Sequence, residues 1–234
     1  MEEKNRDVIS KNHYSIYFII IVAIFITSLI TANIIAVKLV DLFGFVVPAA
    51  IIIFPISYIV GDVLTEVYGY SRARQVIWLG FICNFLAVVA ITIGGLLPPA
   101  SFWDGQMAYE RILGYTPRLL VASFVAYLFG EFLNSYFMAR MKVLTKGKYL
   151  WIRTIGSTLL GQGVDSLIFI TIAFIGTIPG PGLITAIITQ WLFKSVYEII
   201  ATPLTYRVIG YLKHVENQDL FDTETDFNPL KFLK

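Results

Sequence analysis

The sequence predicts an all-α integral membrane protein, a bundle of six transmembrane helices, and three observations carry that expectation. Apolar residues fill 57% of the 234 positions against 15% charged ones, and the mean hydropathy of +0.73 exceeds what a soluble domain can bury. The apolar residues gather in six runs, each near the roughly 20 residues a helix needs to cross a hydrocarbon core of about 30 Å. Lys and Arg alternate between rich and poor connections, the pattern of a chain that crosses a bilayer repeatedly. Three parts result: a cytoplasmic N-terminal segment over 1–13, a six-helix transmembrane domain over 14–210, and a cytoplasmic acidic C-terminal tail over 211–234.

The spans are expected at about 14–37, 46–67, 75–97, 118–139, 154–177 and 183–210. The first is too long for a signal-peptide core of about 7–15 residues and is read as a retained helix. Turn chemistry separates the runs at Asp41 to Gly44, Gly69 to Ser71, Pro98 and Pro99, Lys146 to Lys148, and Pro179 to Gly182. Basic residues concentrate in alternate connections, at Lys4, Arg6 and Lys11, at Arg72 and Arg74, from Arg140 to Arg153, and at Arg207, Lys213, Lys231 and Lys234. The opposite connections hold only Lys38, Arg111 and Arg118, so both termini are expected to face the cytoplasm of a cell membrane. The loop from Pro98 to Pro117, with Phe102, Trp103, Tyr109 and Tyr115, suits an external membrane interface. The tail after His214 is polar, and is expected to be mobile.

Charged side chains inside these spans are the informative exceptions. Asp62, Glu66, Glu131, Asp165, Glu198 and Lys194 lie within or at the edges of apolar runs, where each costs about 2.5–3.5 kcal/mol on the gentlest insertion scale. A shared polar interior would offset that cost. In the first span Asn33 needs partners for its amide, supplied by a neighbouring helix or by a ligand. Asp62 and Glu66 share a face of the second span with Tyr58; a helix begun at Val46 would place Asp62 about 24 Å along it, and Pro55 would bend that helix. Glu66 could instead pair with Arg72 or Arg74. In the third span Asn84 and Gly80 mark a packing face.

The fourth span places Ser123, Tyr127, Glu131 and Ser135 at steps of four, with Asn134 alongside, a stripe suited to lining a cavity. The fifth carries Thr158, Gln162 and Asp165 beside Gly156, Gly161 and Gly163, which permit close backbone approach. In the last, Gln190, Lys194 and Glu198 follow at i, i+4 and i+8, so that Lys194 and Glu198 could neutralise each other. Four carboxylates would still remain, a surplus suited to a donor-rich or cationic ligand. His13 and His214 lie outside the spans and Cys83 is the only cysteine, so no catalytic residue, metal or cofactor is assigned.

The segments FPISYIVGDVLTEVYGYSRAR, ASFVAYLFGEFLNS, RTIGSTLLGQGVDSL and LFKSVYEIIATPLTY resemble the queuosine precursor transporter family, also called the vitamin uptake transporter family, from about Thr27 to Tyr206. The resemblance implies an importer of 7-deazaguanine bases, with family polar positions matched by Asn33, Asp62, Glu66, Glu131, Asn134, Asp165, Lys194 and Glu198. A guanine-like edge offers parallel N–H donors beside a carbonyl, so a carboxylate such as Glu131, Asp165 or Glu198 suits the donors and Asn33, Asn134 or Lys194 the oxygen. Tyr58, Phe124, Tyr127 or Trp191 could stack on the ring.

The expected substrate site is therefore Asn33, Asp62, Tyr127, Glu131, Asn134, Gln162, Asp165, Trp191, Lys194 and Glu198, and the expected partners are a purine-like base and the lipid bilayer, not nucleic acid. The fold is expected to be similar to the substrate-binding subunits of energy-coupling-factor transporters. A homodimer and an energy-coupling ATPase module are left open. No nucleotide-binding motif occurs, which favours a self-sufficient facilitator or proton-linked carrier. Two other classes stay in view: an intramembrane aspartyl-type enzyme using Asp62 and Asp165, and an ion channel, against which the mixed residue types and Lys194 argue.

Overall fold

The computed structural model describes residues 14–42, 45–114, 117–176 and 179–231; the segment 1–13, Gly44, Tyr115 and Lys234 lie outside them. Seven α-helices and one short β-hairpin make up the described chain. Helix α1 (Ile16–Ile35) starts at Ser15, whose hydroxyl accepts a hydrogen bond from the Phe18 amide at 3.0 Å. The same hydroxyl donates to Glu216 at 2.5 Å, tying the start of α1 to the end of the last helix.

Where the second helix was expected to begin, the chain forms a hairpin instead. Strand β1 (Leu39–Leu42) pairs antiparallel with β2 (Phe45–Pro48), Leu39 opposite Pro48 and Leu42 opposite Phe45. One 3₁₀ turn over Ala49–Ile52 follows, then helix α2 (Phe54–Tyr68). A run such as Phe-Val-Val reads as apolar helix or as strand with equal ease, and the β-branched residues favour strand. Pro55 sits in the first turn of α2, where its missing N–H costs nothing, so it starts the helix rather than bending it. Asp62 is consequently eight residues, about 12 Å, into α2 instead of about 24 Å along a longer helix.

At Gly69 the backbone adopts φ +80°, a left-handed geometry that lets α3 (Tyr70–Leu96) leave α2 directly. The external loop contains a short helix, α4 (Gln106–Leu113), which lies on the end of α3 through Tyr109 donating to the Ile91 carbonyl at 2.8 Å. A Cβ at Gly94 would come within 2.9 Å of that tyrosine's hydroxyl, so the glycine makes the approach possible. Helices α5 (Pro117–Leu144), α6 (Leu150–Phe174) and α7 (Gly180–Glu216) complete the bundle.

Among the described residues, four helices are long and apolar enough to cross a membrane: α1, α3, α6 and α7. Helix α2 has 15 residues, about 22 Å, and is too short to cross alone. Helix α7 has 37 residues, about 55 Å, so it extends well beyond a bilayer core. Apolar packing concentrates where α1, α2 and α7 meet, around Phe18, Phe25, Val63, Val67, Ile209 and Leu212. Phe85, Leu86, Ile93, Ile200 and Leu204 stay on the outside, as side chains that face lipid must.

The helices α5 and α6 form the closest interface of the bundle. A Cβ on Gly161 would lie 2.8 Å from Asn134 Cβ and 2.9 Å from the Gly130 carbonyl oxygen, and one on Gly130 would lie 2.9 Å from Asp165 Cβ. Backbone cannot yield as a flexible side chain can. Gly161→Ala is expected to cost about 1–3 kcal/mol by overpacking and to push Asn134 and Asp165 apart; thermal unfolding of the purified protein checks it.

The tail makes more contacts with the bundle than its polar composition suggested. Asp222 accepts from the Tyr70 amide at 3.0 Å, capping the first turn of α3. Arg74 donates to the carbonyls of Asp226 and Asn228 at 2.9 and 2.8 Å, and Trp78 to that of Pro229 at 2.8 Å. Phe227 packs against Tyr70 and Tyr136 with Arg140 over its ring. Burial alone would raise the Asp219 carboxyl, but hydrogen bonds and charge from Lys142 and Lys213 outweigh it and hold Asp219 below its ordinary range. A lowered carboxyl stabilises fully above the unfolded value of about 3.9 and loses its contribution as pH falls through the lower folded value. Limited proteolysis of the tail should therefore be constant down to about pH 4 and accelerate below it.

Candidate functional site

The site grows from the seam between α2 and α5. These two helices meet in matching order along their lengths: Gly61 lies against Glu131, Asp62 against Asn134 and Thr65 against Ser135. A Cβ at Gly61 would stand 3.3 Å from a Glu131 carboxylate oxygen, so the glycine admits that side chain. Asn134 donates from Nδ2 to Asp62 Oδ1 at 2.9 Å, and Thr65 donates to the Gly61 carbonyl at 3.0 Å. Asp62 is 1% exposed, Glu131 7% and Asn134 5%.

Helices α6 and α7 close the other side. Asp165 of α6 and Lys194 of α7 form an ion pair, with Lys194 Nζ 5.8 Å from the centre of the Tyr58 ring of α2. Lys194 thus pairs across the bundle, not with Glu198 one turn along its own helix. Glu131 is within electrostatic reach of Asp165, Lys194 and Glu198, and Asp62 within reach of Glu198, Glu131 and Glu66. Four helices therefore deliver one cluster of acidic groups around a single lysine.

Several buried acceptors on these helices are unpaired. Both oxygens of Glu198, Oδ2 of Asp62, Oδ1 of Asn134 and Oε1 of Gln162 are buried without a hydrogen-bond partner. A buried acceptor left unmade costs about 1–3 kcal/mol, more when charged, so each of these atoms has capacity for a further donor. Ser57 and Ser166 also bury hydroxyl oxygens without partners. Neither was foreseen, although Ser166 follows Asp165 directly and Ser57 is the neighbour of Tyr58.

Other foreseen residues have partners within the protein. Asn33 donates to Asn84 at 3.0 Å across α1 and α3. Tyr127 donates to the Ile77 carbonyl at 2.9 Å, and its hydroxyl would be 2.8 Å from a Cβ on Gly80. Trp191 donates to the Leu159 carbonyl at 2.9 Å, fixing its ring on α6. The pairing of Asp165 with Lys194 also speaks against a two-aspartate hydrolytic dyad, which needs its carboxyls against each other.

Glu66, one turn beyond Asp62, belongs to a different arrangement. Its Oε1 receives Arg153 Nη2 at 2.6 Å and Lys213 Nζ at 2.7 Å, with Lys142 Nζ 3.7 Å away. The expected partners Arg72 and Arg74 are engaged elsewhere, Arg72 with Gln218 at 3.4 Å and Arg74 with the tail. Beyond the turn at Gly69 these arginines lie on α3, while α5, α6 and α7 bring their cations to Glu66 from distant sequence.

A bundle of long apolar helices around buried polar side chains defines the class: a multi-pass membrane protein. Residues 48–208 match the family described as "Putative vitamin uptake transporter". The "Probable queuosine precursor transporter" of Bacillus subtilis (strain 168) is 34% identical over 179 residues, covering 76% of this chain and 78% of that one. The "Queuosine precursor transporter" of Escherichia coli (strain K12) is 29% identical over 121 residues, 52% of each chain. A "Probable queuosine precursor transporter" of Haemophilus influenzae is 26% identical over 121 residues, covering 52% of this chain and 49% of that one. No significant match to a solved structure is found. The chain belongs to the vitamin uptake transporter family, whose relatives here are queuosine precursor transporters.

Proposed function

We propose that the protein imports queuosine precursors, 7-cyano- or 7-aminomethyl-7-deazaguanine and also queuine, across the cytoplasmic membrane, holding the base among α2, α5, α6 and α7. The unpartnered acceptors of Asp62, Asn134, Gln162 and Glu198 carry this reading. A guanine-type edge presents a ring N–H and an exocyclic amine side by side, and one carboxylate accepts both. Glu198, with both oxygens available, takes that role; Lys194 and the second N–H of the Asn134 amide are the donors for the base carbonyl. Tyr58 supplies a ring face beside Lys194. Asn33, Tyr127 and Trp191 hold the surrounding helices in place through their own hydrogen bonds.

In this reading α2 and α5 complete six crossings, the hairpin and 3₁₀ turn covering the outer end of the short α2, and the basic end of the bundle faces the cytoplasm. The carrier works without an ATPase partner. Cells unable to make the precursor, given this chain, should accumulate labelled 7-cyano-7-deazaguanine and recover queuosine in their tRNA. Accumulation no greater than with an empty vector would overturn the assignment.

A further inference from the structure

The knot around Glu66 joins the transport helices to the tail. Glu66 is 0% exposed, and three cations from α5, α6 and α7 converge on it. Two of them are shared with the tail: Asp219 Oδ1 lies 2.6 Å from Lys142 Nζ and 2.9 Å from Lys213 Nζ, and Lys142 also donates to the Leu220 carbonyl at 2.6 Å. Lys142 further donates to the backbone carbonyl of Glu66 at 2.6 Å. One turn beyond Asp62, one ionic assembly thus ties four helices and the tail together at the basic end of the bundle.

We propose that the segment from Asn217 to Lys231 is a latch that holds the basic end of the transporter closed, released when Asp219 gives up Lys142 and Lys213. This rests on the transport reading above, since a carrier must open its site to each side in turn. Three features suit reversible release. Asp219 is 47% exposed, so water competes for both lysines. The tail is otherwise held by backbone carbonyls, the Asp222 cap, the Arg72–Gln218 hydrogen bond and two aromatic side chains, Phe221 and Phe227, with little apolar burial, which places it among the segments that open first. Asp219 and Glu66 divide the same lysines, so losing Asp219 leaves both cations a carboxylate partner in Glu66 and frees the tail from α5 and α7 without stranding a buried charge. The family match ends at residue 208, which makes the latch a feature outside the matched region.

The test uses the full chain with Cys83→Ser and Thr65→Cys, a position 1% exposed between Asp62 and Glu66. In inside-out vesicles, a membrane-impermeant maleimide should label it at least five-fold faster when Asp219→Asn is added, with the unfolding midpoint unchanged within a few degrees. Unchanged labelling, or labelling that rises only with general melting, would overturn the latch. This readout needs no substrate, so it stands even if the proposed cargo is wrong. In a second protein, Cys83→Ser with Tyr136→Cys and Phe227→Cys, whose native rings are 5.1 Å apart, bridging the two thiols with a disulfide-containing bismaleimide should cut base uptake at least ten-fold and reductive cleavage of the bridge restore it. Undiminished uptake by the crosslinked protein would make the tail a fixed strap.

Discussion

Replacing Glu198 by Gln is expected to lower base uptake about 10- to 150-fold while the unfolding midpoint moves by no more than a few degrees. Glu198 is 1% exposed and neither of its oxygens has a partner in the protein. The substitution therefore removes nothing that the folded chain uses, and keeps the side chain's volume. What it removes is the charge and one of two acceptors, setting an amide N–H against a donor of the base; hydrogen bonds to a charged group contribute about 1.5–3 kcal/mol, which gives that range in affinity. Initial uptake rates at low substrate concentration, together with the thermal midpoint of purified protein, separate this from a folding defect. A midpoint loss equal to that of a core mutation would show that Glu198 serves the fold instead.

Glu66→Ala is expected to do the reverse, lowering stability by about 3–5 kcal/mol and with it the yield of folded protein. Removing this carboxylate leaves Arg153, Lys142 and Lys213 converging with only the half-exposed Asp219 to oppose them. Arg153 and Lys142 are each 1% exposed, so solvent cannot replace the lost partner. Thermal unfolding in detergent, followed by loss of monodisperse protein, measures the effect. A variant as stable as the parent would mean that the three cations are hydrated, contrary to their burial.

These two glutamates show what was legible in the sequence. Both stand out as charges in apolar runs, and both are buried, because the insertion cost that flags them is the same cost that drives them inward. Their roles were not legible. Glu66 has Arg72 and Arg74 nearby in the chain, yet its partners lie as far as Lys213, and only the turn at Gly69 and the return of α7 decide between them. Lys194 likewise reads as a partner for Glu198 at i+4, whereas the structure gives it to Asp165 of α6, since α6 and α7 pack closely there.

The helices were legible where apolar runs are long and bounded by turn residues, as in α1, α3, α6 and α7. The start of α2 was not, because the residues from Phe45 to Ile53 are apolar throughout, and hydrophobicity alone does not separate a hairpin from a helix in so short a run. The tail failed for a related reason. Its composition is that of a solvated segment, and nothing local reveals that Asp222 caps α3 or that Arg74 waits for the carbonyls of Asp226 and Asn228. Polar segments fold when their partners are elsewhere in the chain, which single-segment composition does not report.

The proposed import requires the buried acidic cluster to take the donor edge of a guanine-like base. Thermal unfolding of purified protein with 7-cyano-7-deazaguanine, adenine or no addition tests it most directly. The deazaguanine should raise the midpoint, by about 2.7 kcal/mol of stabilisation at a hundredfold excess over its dissociation constant, adenine should leave it unchanged, and Glu198→Gln should abolish the rise. Equal shifts for deazaguanine and adenine, or a deazaguanine shift that survives in Glu198→Gln, would contradict it.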